Sequence, residues 1–98
     1  MIYPKKVPIG GKVIKVTIDA QMESWGEYHA EKGEIRLAAR CLENIKALTE
    51  TLRHEILHAA LDISGLSYIK NFEEEALVRC IDTIFFPAWD TVSKQIKP

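Results

Sequence analysis

Cysteine is nearly missing from this chain: Cys41 and Cys80 are the two present, and they form no Cys-x-x-Cys pair. That scarcity excludes a disulfide framework and a four-cysteine metal site. The expectation is two reduced, partly buried thiols in a cytosolic protein. Long hydrophobic runs are also missing, since no apolar stretch approaches the roughly 20 residues needed to span a bilayer. Lys5 and Lys6 are followed by no apolar segment, so the start does not read as a signal peptide. Nor is there an excess of charge of one sign. Thirteen basic and 14 acidic residues leave a net charge of -1, without the global field of a nucleic-acid binder. These absences predict a cytoplasmic protein with neither a membrane nor a nucleic acid as partner.

Local charge is less even. Lys5, Lys6, Lys12 and Lys15 occur before any acid, whereas Asp19, Glu23, Glu27, Glu31 and Glu34 follow with Lys32 alone among them. A basic arm for an acidic partner is one reading. A solvated strand face is the better one, because no arginine or aromatic interleaves the lysines.

With 98 residues, 47% hydrophobic and 28% charged, the chain is expected to form one domain over residues 1–98. A chain of this length buries about two-thirds of its unfolded surface, so the core is adequate but thin. Pro4, Pro8 and Gly10-Gly11 suggest an irregular lead-in over residues 1–11. Ile14, Val16 and Ile18 alternate with Lys15 and Thr17, which predicts a strand over Lys12 to Asp19. Trp25 to Ala30, the turn Glu31 to Glu34, and Ile35, Leu37 and Ala39 read as a β-hairpin, with Gly33 supplying a positive φ.

A helical region is expected from about Leu42 to Ile63, with a break near Ala47 to Thr49 and an apolar stripe of Leu52, Ile56, Ala59 and Ile63. Gly65 is placed to stop it. Asn71 is a candidate N-cap for a second helix with apolar face Val78, Ile81, Ile84 and Phe85, ended or kinked by Pro87. A short final segment, Trp89 to Ile96, reads as a further helix. The fold class is therefore α+β: a small antiparallel sheet of about three strands followed by two main helices.

Within the first helix, His54-Glu55-Ile56-Leu57-His58 carries the chemistry. Residues four apart share a helix face, so two imidazoles so placed can reach one zinc ion. Glu55, about 100° further round, stands beside such an ion and can take a proton from its bound water. A chain of this composition contains the His-Glu-x-x-His pattern by chance roughly once in a hundred. Its place inside an apolar-periodic helix lowers that further. The plain alternative is two surface histidines on an ordinary amphipathic helix.

Catalytic zinc takes three protein ligands. A metzincin needs Gly at position 61 and His at position 64, where this chain has Leu61 and Ser64. The missing His also argues against metal-dependent endoribonucleases with a similar His-rich run. An acid from the following helix remains, the gluzincin arrangement. Glu75 lies on the edge of the apolar stripe and is favoured, Glu74 stays open as the alternative, and Glu73 points 100° away. His29 reads as a surface residue near a hairpin turn. Tyr28 and Tyr68 could each polarise a substrate carbonyl, though as rim or core aromatics they need no such role.

Gly26 and Tyr28, Ile35 and Leu37, Thr51 to His58, and Glu75, Val78 and Ile81 together resemble the ImmA/IrrE family of small zinc metallopeptidases. Leu57-His58-Ala59 and Glu74-Glu75-Ala76-Leu77-Val78-Arg79 are similar to its short phage and prophage members. The resemblance covers roughly residues 12–85, and it departs from the family pattern at Asp82 and Arg79. It implies one zinc ion held by His54, His58 and Glu75, with Glu55 as general base and then proton donor to the leaving amine. It also implies a bacterial or prophage setting and a protein substrate such as a transcriptional regulator.

From a different class comes a zinc-stabilised interaction module without turnover, its shell closed by His29 or Cys80. A minimal peptidase has no deep cleft, so an extended substrate is expected to pair with an exposed sheet edge at Ile35 to Ala39.

Overall fold

Gly10 and Gly11 both adopt positive φ, +54° and +83°, which is the backbone of a two-residue hairpin turn open to glycine without steric cost. They join strand β1, Lys6–Ile9, to strand β2, Lys12–Asp19, with Lys6 opposite Lys15 and Ile9 opposite Lys12. The expected irregular lead-in thus contains a four-residue strand. Its Pro8 is tolerated because β1 lies at the sheet edge. The computed structural model describes residues 1–69 and 73–98.

Strand β3, Gly26–His29, and strand β4, Glu34–Ala38, form the predicted hairpin, and Gly33 at φ +57° closes it. The sheet has four strands in the order β1-β2-β4-β3, with β2 and β4 parallel. It is therefore mixed, not the expected three-stranded antiparallel sheet. Apolar alternation fixes which face of a strand is buried but not its neighbour. Here β4, with Ile35, Leu37 and Ala38 all buried, takes the centre, and the polar β3 is left outside. The edge expected at Ile35 to Ala39 is consequently covered on both sides, and β3 forms the sheet edge on this side, opposite β1.

Helix α1 runs unbroken over Ile45–Ile63, without the expected interruption. The side chain of Asn44 accepts from the backbone N–H groups of Lys46 and Ala47 at 2.9 and 3.2 Å, satisfying two orphan donors at the start. Leu48, Leu52, Ile56, Ala59 and Ala60 are fully buried against the sheet. Gly65, at φ +84°, turns the chain beyond the helix end as expected.

The second helical region starts with α2, Glu74–Cys80, widens into a single π turn at Ile81–Phe85, and continues as α3, Phe86–Ser93. Pro87 neither ends it nor starts a separate segment at Trp89, because the widened turn directly before it gives its ring room. Its buried stripe is Cys80, Phe85, Ala88 and Val92. The step of five from Cys80 to Phe85 is the residue the π turn absorbs. The expected N-cap Asn71 lies outside the described residues. Cys80 Sγ donates to the carbonyl of Ala60 at 3.5 Å, which locks this helix antiparallel along α1.

Candidate functional site

The helical spacing of His54 and His58 places their side chains on one solvent-facing stretch of α1, where both are exposed. Their Nε2 atoms lie 3.1 Å apart and the rings meet edge to face at 79°. Two nitrogens each about 2.0–2.1 Å from one tetrahedral ion stand roughly 3.3–3.4 Å apart. The pair therefore converges nearly as two ligands of a single ion do.

Glu55 behaves differently from its neighbours. It is only 6% exposed, the one buried charged residue in the core, and its carboxylate makes no hydrogen bond among the described residues. Burial pushes its carboxyl above the ordinary range, with His54 and His58 opposing and Glu27 adding to the rise. Its oxygens open into two adjoining hollows on either side of it, of about 440 and 370 Å³. One is bordered by Glu27, Tyr28, His58 and Asp62, the other by Trp25, Gly26, Glu50, Thr51 and His54. Together they make a cleft between the imidazole face of α1 and the free edge of β3.

Gly26 sets how closely these two elements approach. A Cβ there would fall 2.7 Å from Thr51 Cγ2, 3.1 Å from Glu55 Cγ and 3.3 Å from Glu55 Oε2. Only a residue without a side chain lets β3 cover Glu55 this tightly. The amide of Ala38 donates to the Trp25 carbonyl at 2.9 Å. Antiparallel alternation then turns the backbone groups of Gly26 and Tyr28 away from β4, toward the open edge.

Asp62 sits one turn beyond His58 and receives two phenols: Tyr28 donates at 2.8 Å and Tyr68 at 2.5 Å. The Tyr68 and Tyr28 bonds hold its carboxyl below the usual carboxylate range. Burial first, then the bond to Asp62, pushes the Tyr28 phenol up. In this arrangement the Tyr28 proton is committed to Asp62 and is not aimed at a substrate carbonyl.

Of the residues picked from sequence, His54, Glu55 and His58 come together. Glu74 and Glu75 are exposed in the first turn of α2, and no group of three ligand-type side chains forms among the described residues. His29 bonds the Glu27 carboxylate at 3.1 Å, and Cys80 is buried against Ala60, so neither completes a shell. Sequence reasoning gave no role to Trp25, Glu50 or Asp62. Asp62 had a usable signal, since His54, His58 and Asp62 follow one another at four-residue steps along one helix. Trp25 and Glu50 had none, because only the mixed sheet order brings β3 beside α1.

The fold and site define a class: an α+β domain with a four-stranded mixed sheet and helices on it, holding a buried carboxylate between two convergent imidazoles in an open cleft. No family model, no curated protein and no solved structure matches this chain. No described helix is long and apolar enough to cross a membrane.

Proposed function

We propose that this protein is a zinc-dependent peptidase of the gluzincin kind, acting on an extended segment of a protein substrate. The observation that carries the reading is Glu55, a residue only 6% exposed whose carboxylate opens onto the cleft next to two imidazole nitrogens 3.1 Å apart. Burial raises its carboxyl above the ordinary range, and carboxyls perturbed in a cleft concentrate where chemistry needs them. The resemblance to ImmA/IrrE peptidases points the same way and suggests a regulatory protein as substrate, cut in the cytoplasm.

His54 and His58 would supply two nitrogen ligands to one zinc ion, and Glu75 is the proposed third. When bound there, zinc supplies Lewis acidity that makes water acidic enough to lose a proton near neutral pH. Glu55 takes that proton on its carboxylate, which burial already makes more basic than an ordinary one. It then holds the proton beside the scissile nitrogen for delivery to the leaving amine. The outward backbone groups of Gly26 and Tyr28 pair with the substrate main chain and lay it across the cleft.

Metal titration tests the ligand set. Wild-type protein is expected to take up one zinc per chain and to gain thermal stability from it. His54→Ala and His58→Ala should keep the metal-free melting temperature, because both rings are exposed, and lose the zinc-dependent rise. Glu75→Gln should weaken zinc binding, whereas Glu74→Gln should not. Equal zinc-dependent stabilisation of wild type and both histidine variants would refute the proposed site.

A further inference from the structure

The cleft carries a charge bias that the proposed hydrolysis does not require. Glu27, Glu55 and Asp62 border one half, Glu50 and Glu55 the other, and among the described residues no lysine or arginine borders either, Lys12 approaching Asp62 from a neighbouring hollow. A zinc ion would offset two of these four negative charges and leave the walls acidic. Asp62 is bonded by neutral phenols and Glu27 by Ser24 and His29, none of which is an obligate cation. Among the described residues Glu50 pairs with Lys46, at 4.0 Å and with both side chains exposed, a contact worth little in water, while Arg53 shares a separate hollow with it. The nine-tenths-buried Glu55 also aims its unpartnered carboxylate into both halves.

The smaller half adds an aromatic wall. Trp25 is 50% exposed and lines this hollow together with Glu50. Its ring is held by Arg40, whose guanidinium lies over it 4.5 Å from the ring centre and does not line the hollow. That guanidinium is itself anchored by the carbonyls of Met22 and Glu23, at 2.9 and 2.6 Å. An anchored indole and a carboxylate lining one hollow suit a planar cation, which can stack on the ring while hydrogen-bonding the acid.

We propose that the hollow between Trp25 and Glu50 is a specificity subsite for an arginine side chain, making the cleft selective for basic peptide segments. The inference rests on the cleft being the peptide site of the proposed peptidase, but its recognition step needs neither metal nor turnover. Arginine is preferred over lysine because its flat guanidinium matches both walls at once.

Three fluorescently labelled decapeptides of one serine-glycine frame provide the test, carrying at the same three positions arginine, its uncharged isostere citrulline, or glutamate. Binding is read by anisotropy to wild type, Glu50→Lys and Trp25→Leu, in chelator so that no turnover intrudes. The arginine peptide should bind wild type about tenfold or more tighter than the citrulline peptide, and the gap should shrink with salt. Trp25→Leu should weaken the arginine peptide about threefold or more. Glu50→Lys should remove the preference, bringing the arginine and citrulline peptides to about equal affinity. Both residues are half exposed, so both variants should retain the wild-type melting temperature.

Equal binding of arginine and citrulline peptides, an unchanged order in Glu50→Lys, or no binding of any peptide would each overturn the subsite. Adding zinc separates this from the peptidase reading. Hydrolysis blind to charge sinks the subsite alone, and arginine-selective binding with no hydrolysis sinks the peptidase alone.

Discussion

Gly26 shows how a residue without a side chain can shape a site. Its missing Cβ is what allows β3 to close over Glu55. Gly26→Ala is expected to cost about 1–3 kcal/mol in chemical denaturation, the range for overpacking. Adding Thr51→Ser, which removes the methyl nearest the new carbon, should recover part of that loss; no recovery would place the strain elsewhere. Asp62 makes a second residue-scale prediction. Tyr28→Phe should cost about 1 kcal/mol, since a half-buried phenol bonded to a carboxylate is lost. Tyr68 is the larger cause of the lowered Asp62 carboxyl, but its ring is 77% exposed, so water replaces its bond more easily. Because the folded carboxyl lies below its ordinary value of 3.8, its contribution is complete above that pH. It fades as the pH falls through the folded value. The stability difference between wild type and Asp62→Asn, measured from pH 7 down to pH 2, should shrink on the acid side; a difference that grew there would contradict the assignment. At this scale the sequence was readable where a motif fixes spacing, as in His54-Glu55-x-x-His58. It was silent on Gly26 and Trp25, whose roles depend on a neighbour 25 or more residues away.

At the scale of elements, local signals translated well and pairings did not. Gly33, Gly65 and the stripe of Leu52, Ile56 and Ala59 each did what their chemistry predicts. The two-glycine turn at Gly10-Gly11 was mistaken for irregular chain, although paired glycines between apolar alternations are a hairpin signal. Sheet order is a competition between strands for burial, and β4 outranked β3 because three of its five residues are apolar and buried. The π turn was invisible because a one-residue insertion shifts a helical stripe without breaking its composition. The outcome matters for substrate binding, since the free edge is β3 and not Ile35 to Ala39. If a substrate strand pairs with Gly26 and Tyr28, N-methylation of its alternate backbone amides should abolish cleavage at those positions and spare the positions between. Uniform sensitivity, or none, in cleavage assays of such a series would argue against strand addition.

For the whole molecule, the organisation separates support from chemistry. The core lies between the sheet and the inner face of α1, closed by the Phe85, Ala88 and Val92 stripe. The imidazoles stand outside it, exposed on the solvent side of α1. Glu55 alone crosses that boundary, a buried charge kept at the expense of stability, as functional carboxylates often are. Glu55→Gln therefore gives the most direct measurement: zinc content and peptide hydrolysis, compared side by side with wild type. The variant should hold one zinc per chain, melt at or above the wild-type temperature, and show no hydrolysis. Hydrolysis at the wild-type rate, or wild-type protein that takes up no zinc, would contradict the account.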